Sequence, residues 1–179
     1  QARVAAAGLQ DRVEIKLQDY REERGTYDGV ASIEMFEAVG EKYWPVYFET
    51  LEKVLRPGRQ ATLQIITVAN ERWASYRKDV DFIQKYIFPG GMLPAPKVLR
   101  EEIAKAGLRT ERSIEFGESY SQTLRRWHET FNEKWDQVAR LGFDDRFQRM
   151  WNFYLTSCAS AFSSATCDVT QITVMKPKI

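Results

Sequence analysis

The sequence predicts an α/β fold with a parallel sheet, and three stretches predict it. Tyr27 to Ile33, "YDGVASI", reads as a buried strand, and Gln60 to Val68, "QATLQIITV", as a second one with almost continuous apolar character. Between them, Glu41 to Leu55 reads as a helix, because Trp44, Tyr47, Phe48, Leu51, Val54 and Leu55 recur at three- and four-residue spacing. Strand, helix and strand in this order imply strands that run parallel. The "RPG" at 56–58 stops the helix.

The remaining elements follow in order. "QARVAAAG" has the alanine-rich composition of a helix that ends at a glycine, and a short alternating strand is expected over Val13 to Leu17. After the second main strand, Ala69 to Pro96 is irregular. It holds "DFIQKYIFPGGMLP", where aromatics mix with a Pro-Gly-Gly turn in the manner of a lid or substrate loop. Lys97 to Ala106 reads as a short helix ended by Gly107, and Leu108 to Phe116 as a strand. Two long amphipathic helices come next. One carries the stripe Tyr120, Leu124, Trp127, Phe131, Trp135 and Val138; the other carries Phe147, Met150, Trp151, Tyr154, Leu155, Cys158, Ala161 and Phe162. Asp168 to Met175 is the closing strand. No repeat, low-complexity segment or linker interrupts the pattern, so residues 1–179 read as a single domain.

Composition narrows the function classes. The 179 residues, 44% hydrophobic and 28% charged, suffice for one core and are few for two domains. A net charge of +1, from 26 basic and 25 acidic residues, gives no excess that would point to nucleic acid. No apolar run approaches the roughly 20 residues that span a bilayer, and the first residues lack a basic-then-apolar signal pattern. Cys158 and Cys167 have neither metal-site nor CxxC spacing and make no disulfide framework, so a reducing, cytoplasmic setting is expected. A lone histidine, His128, cannot build a multi-histidine metal centre, and no local Ser or Cys signature completes a hydrolase triad with it. No metal is expected.

One stretch stands out chemically. "ASIEMFEAVG", Ala31 to Gly40, continues a buried strand yet carries Glu34 and Glu37 among apolar neighbours. Ionised carboxylates are seldom buried without partners, because desolvation costs several kcal/mol or more by rough estimate.

Five stretches, "LQDYRE", "SIEMFEAVGEKYW", "FIQKYIFPGGMLP", "SYSQTLRRWHETF" and "RMWNFYLTSCASAF", together resemble the cyclopropane-fatty-acyl-phospholipid synthase family, which includes the mycolic acid cyclopropane synthases. The resemblance runs from Gln1 to about Val174 and implies a Rossmann-like, S-adenosylmethionine-dependent methyltransferase. Segments 69–96 and 117–165 would then form an acyl-chain lid. The family's fold begins with a strand, a glycine-rich turn and a second strand ending in an acidic residue, and nothing of that kind precedes "QARVAAAG". The expectation is therefore a carboxyl-terminal portion lacking the first two strands, inactive by itself and weak in cofactor binding. Its open strands, Val13 to Leu17 and Tyr27 to Ile33, would be completed by an upstream segment, by another chain such as the second copy of a homodimer, or by rearrangement.

The resemblance also implies roles. The family passes a methyl group to a cis double bond of a phospholipid acyl chain, and a bound bicarbonate takes the proton that is then lost. Glu37 matches the glutamate that helps hold the bicarbonate, with helix capping near Glu41 as its alternative. Tyr120 matches the tyrosine whose hydroxyl reaches the same anion, with a place in the helix stripe as its alternative; Cys158 matches a pocket cysteine, with plain packing as its alternative. Gln64, in "LQII", stands where well-known members carry a histidine in "L-H-T-I", and Ala38 replaces the second histidine of "F-E-H". Glutamine cannot titrate, which leaves room for plain methylation or another acyl product. Ile66 would offer a main-chain contact.

For S-adenosylmethionine the implied residues are Gln18, Asp19, Ser32 and Ile33; for the acyl tunnel, Tyr86, Phe88 and Trp127. The implied partner is phospholipid at the inner membrane surface. Two rival readings stay open, a methyltransferase acting on another lipid or small molecule and a non-catalytic lipid-binding module.

Overall fold

Helices in this chain begin and end where turn chemistry and packing allow. In the computed structural model, which describes residues 1–178, the elements are α1 (Ala2–Ala6), β1 (Tyr27–Ile33), α2 (Phe36–Val39), α3 (Trp44–Val54) and β2 (Leu55–Val68). They continue with α4 (Trp73–Tyr76), α5 (Phe82–Tyr86), α6 (Pro96–Lys105), β3 (Arg109–Glu115), α7 (Gly117–Glu133), α8 (Trp135–Ala139), α9 (Asp145–Ser163) and β4 (Cys167–Met175). Pro45 sits in the first turn of α3, where its fixed φ and missing N–H cost nothing. Glu41–Tyr43, expected to open this helix, forms a separate 3-10 turn.

The strands make one sheet in the order β1-β2-β4-β3. β1 and β2 are parallel, with Val30 opposite Ala61 and Ile33 opposite Gln64, as the strand-helix-strand pattern predicted. The rest of the sheet is antiparallel, because β4 inserts between β2 and β3 and pairs antiparallel with both. β2 also starts earlier than expected, at Leu55.

Alternation along β2 sorts the side chains onto two faces. Ala61, Leu63 and Ile65, with Ile172 and Val174 of β4, pack against Phe36 and against Trp44, Tyr47, Phe48 and Leu51 of α3. On the other face, Ile66 and Val169 meet Leu124 of α7 and Leu155, Ala159 and Phe162 of α9. Gln64, two residues from Ile66, shares that second face. α7 and α9 run antiparallel: Tyr120 meets Phe162, Phe131 meets Phe147, and Asn132 and Asn152 exchange hydrogen bonds of 2.7 and 3.1 Å.

Three expectations need correction. Val13 to Leu17 is not a strand; the segment pairs with no other, and Val13, Ile15 and Leu17 are exposed. Alternating polarity supplies a face, and a strand also needs a neighbour for its backbone groups. The helix stripe from Tyr120 to Val138 is broken at Lys134, which leaves Trp135 and Val138 on α8. The segment 69–96 is more structured than a loop: α5 carries a capping box in which Asp81 and Gln84 exchange bonds of 2.8 and 3.1 Å, and Phe82 packs edge-on against Phe153 of α9 at 4.7 Å. Among the described residues, no helix is long and apolar enough to cross a membrane.

Candidate active site

The chain turns sharply where β1 ends. Glu34 adopts the left-handed conformation at φ 51°, which costs a residue with a Cβ on the order of 1–2 kcal/mol. Its N–H still donates to the Gln64 carbonyl at 2.9 Å. The turn drops Phe36 into an aromatic cluster, with ring centroids 5.0–5.2 Å from Trp44, Tyr47 and Phe48. That anchor sets Glu37, in the first turn of α2, against the end of β2.

Glu37 Oε1 accepts a 2.6 Å hydrogen bond from the Ile66 N–H, while Oε2 is buried without a hydrogen-bond partner among the described residues. Burial pushes the Glu37 carboxyl above its ordinary value of 4.5, the Ile66 N–H opposes this, and the charge of Glu34 adds to the rise. An orphaned buried carboxylate oxygen marks a place where a further donor or a proton belongs.

Opposite Glu37, α7 delivers Tyr120. Gly117 lies against Asp168, donating its N–H to Oδ1 at 2.7 Å, so the first turn of α7 abuts β4. The Tyr120 hydroxyl donates to Glu34 Oε1. Gln64 Nε2 donates to the same Glu34 Oε1 at 2.8 Å and to the Tyr120 hydroxyl at 2.6 Å, and Gln171 Nε2 donates to Gln64 Oε1 at 2.8 Å. Burial first, then the Glu34 carboxylate, lift the Tyr120 hydroxyl above its ordinary 10, so at neutral pH it is a donor. Glu34, Gln64, Tyr120 and Gln171 thus form one polar network beside Glu37 and Ile66.

The walls around it are apolar and aromatic. Burial pushes the Tyr154 hydroxyl up to about 12, with Cys158 and Glu34 adding to the shift. The Cys158 thiol is pushed by burial up to about 12 and that of Cys167 to about 11. Thiols so raised are neutral packing groups near pH 7 and poor nucleophiles. Phe162 stands 5.4 Å from Tyr120, and Phe88 stands 6.2 Å from Tyr154.

The Pro-Gly-Gly loop closes one side. The Met92 N–H donates to the Glu37 carbonyl at 2.9 Å, and Gln84 donates to the Gly91 carbonyl at 3.1 Å. Phe88 is 57% exposed at the rim and Tyr86 is 52% exposed on α5. Trp127 is 58% exposed, two helical turns from Tyr120.

The residues expected to meet the cofactor divide. Ser32 and Ile33 line a cavity of about 570 Å³ along β1, together with Tyr20, Tyr27, Met35 and Tyr47, a size in the range of small-molecule sites. Ser32 Oγ accepts from the Tyr47 hydroxyl at 2.8 Å. Asp19 does not line that cavity. Its carboxylate is bound by the Arg21 side chain at 2.6 and 2.9 Å, which holds it down to about 2. Gln18 is exposed beside it.

Glu34, Gln171 and Tyr154 carry the geometry without having been assigned roles from the sequence. For Glu34 a signal was present: a carboxylate just past the carboxyl end of a strand, where open α/β sheets bind ligands.

A family model for mycolic acid cyclopropane synthetase matches residues 1–172. The chain belongs to the mycolic acid cyclopropane synthetase family. This synthetase-family chain is 45% identical over 175 residues to a tuberculostearic acid methyltransferase of Mycobacterium tuberculosis, covering 97% of the chain and 41% of that relative. It is 33% identical over 161 residues to a cyclopropane-fatty-acyl-phospholipid synthase of Escherichia coli, covering 89% of the chain and 40% of that relative. The chain therefore spans about two fifths of the length of these curated relatives.

Among solved structures, a cyclopropane synthase from Mycobacterium tuberculosis superposes with a TM-score of 0.80 at 25% identity, over 94% of this chain and 65% of that one. A mycolic acid cyclopropane synthase complexed with SAH and CTAB shares the fold, with a TM-score of 0.82 at 24% identity over 96% of this chain and 65% of that one. The expected fold class holds: this synthetase-family chain has the Rossmann-like methyltransferase architecture.

Proposed function

We propose that the natural protein carrying this sequence is an S-adenosylmethionine-dependent methyltransferase. Its substrate is a cis double bond in a phospholipid acyl chain, its reaction belongs to cyclopropane fatty acid synthesis, and residues 1–179 supply the acyl-chain side of the site. The observation that carries the reading is the polar network of Glu34, Gln64 and Tyr120 beside Glu37, walled by Tyr154, Cys158 and Phe162. Methyl transfer to an alkene leaves a carbocation, and fixed carboxylates set beside apolar and aromatic side chains stabilise that charge. Aromatic faces such as Tyr154 and Phe88 add to the stabilisation.

Ser32 and Ile33 would hold one side of S-adenosylmethionine, which supplies the methyl group, and Asp19 and Gln18 lie outside that cavity. Residues 1–179 alone would bind it weakly. Bicarbonate, the proton acceptor that the family resemblance implies, would need the donors of Tyr120 and Gln64, and both already turn to Glu34. The exposed rings of Tyr86, Phe88 and Trp127 suit a chain that works at the inner membrane surface from the cytoplasmic side. The free edge of β1 suits completion by another strand, from the same protein or from a second copy.

A second reading, a branched methyl product, is favoured by Gln64 in place of a titratable histidine and by the likeness to a tuberculostearic acid methyltransferase. One experiment separates the readings. The full-length protein is incubated with isotopically labelled S-adenosylmethionine and dioleoyl phospholipid vesicles, and the acyl chains are then analysed. A labelled ring supports the first reading and a labelled branch the second. A protein that binds the cofactor and transfers nothing is a lipid-binding module.

A further inference from the structure

Resting on lipid methylation as the reaction, we propose that Glu34 is its proton acceptor, a carboxylate built into the chain in place of a bound anion. The two donors that would hold such an anion, the Tyr120 hydroxyl and Gln64 Nε2, converge on Glu34 Oε1. A third donor of the site, the Ile66 N–H, is engaged by Glu37. A small anion entering here meets two carboxylates and donors already committed. A third negative group beside two carboxylates is repelled by both.

The other groups at the site are unsuited to take a proton. Gln64 does not titrate, the Tyr120 hydroxyl is already protonated and donating, and the Ile66 N–H has no acceptor to offer. Glu37 is anchored by Ile66 at one oxygen and enclosed at the other, whereas Glu34 lies exposed at the mouth of the network. The backbone adds an independent observation. At φ 51° glycine is the unstrained residue, yet the position carries a long acidic side chain.

The methyl group's bond to the sulfonium sulfur breaks with its electron pair left on sulfur, and the π pair of the double bond forms the new carbon–carbon bond. A cation remains on the neighbouring carbon. A C–H bond then breaks, its proton goes to a Glu34 carboxylate oxygen, and its electron pair closes the ring or forms an alkene. Glu34 finally returns the proton to solvent.

The test uses the full-length protein with labelled S-adenosylmethionine and dioleoyl phosphatidylglycerol vesicles, in buffer stripped of carbon dioxide and in buffer with added bicarbonate. Wild type is expected to turn over equally in both. Glu34→Gln should lose about 100-fold or more in turnover, the usual worth of a general base, while calorimetry shows S-adenosylmethionine binding unchanged. Glu34→Gly relieves the backbone strain and so keeps its fold, and bicarbonate should restore its activity by about tenfold or more, as an added base does at a vacated site. A wild type that requires bicarbonate, or a Glu34→Gln variant at wild-type rate, overturns the assignment of Glu34 alone. A wild type that binds S-adenosylmethionine and transfers no label overturns the lipid-methylation reading, and the assignment with it.

Discussion

Glu37 carries the clearest residue-scale consequence. Its carboxyl is raised above 4.5 in the folded chain, chiefly by burial, so folding favours the protonated form. Stability from this group is present in full below its unfolded value and is lost as pH rises through the folded value. Glu37→Gln mimics the protonated state at every pH. Urea denaturation should therefore show the variant gaining stability relative to wild type as pH rises above about 4.5, the ordinary value of the carboxyl. A difference that is flat with pH would show that the buried Oε2 finds solvent. The sequence showed a carboxylate out of place at Glu37, and the Ile66 N–H bond with an orphaned second oxygen explains it.

At the scale of elements, the placing of α7 decides where Tyr120 sits. A Cβ on Gly117 would lie 2.7 Å from Asp168 Oδ1 and 3.1 Å from its Cα, and Oδ1 is held in place by the N–H groups of Gly117 and Val169. Gly117→Ala is expected to destabilise the protein by about 1–3 kcal/mol, as overpacking does, read as a lowered denaturation midpoint. It should also loosen the hydrogen bond from the Tyr120 hydroxyl to Glu34. The helix itself was legible from its stripe, but its end was not. At Lys134 the backbone leaves helical geometry, at φ −103° and ψ 15°, and α8 starts at Trp135, a break that the apolar periodicity does not register.

For the whole molecule, the two sheet edges differ. β3, "RTERSIE", carries alternating charges that discourage strand addition, whereas β1, "YDGVASI", carries Asp28 as its one charge and borders the 570 Å³ cavity. Residues 1–179 prepared alone are expected to associate with rising concentration in light scattering. A monomer at high concentration would mean that the β1 edge needs no partner. The failed strand at Val13 to Leu17 belongs to the same scale. Its alternation is real, but a strand exists only where a neighbour accepts its ladder.

Local pattern by itself determined the parallel pair β1–β2 around α3, the amphipathic α7 and α9, and the family likeness carried by "SIEMFEAVGEKYW" and "FIQKYIFPGGMLP". These depend on periodicity and on turn chemistry between near neighbours, which a sequence displays directly. Only the tertiary structure decided that β4 inserts antiparallel between β2 and β3, and that Glu34 gathers Tyr120 and Gln64. Those contacts join residues brought together by chain reversal, and Glu34 meets Tyr120 across 86 positions. Side-chain hydrogen bonds over such separations leave no periodic trace in the sequence.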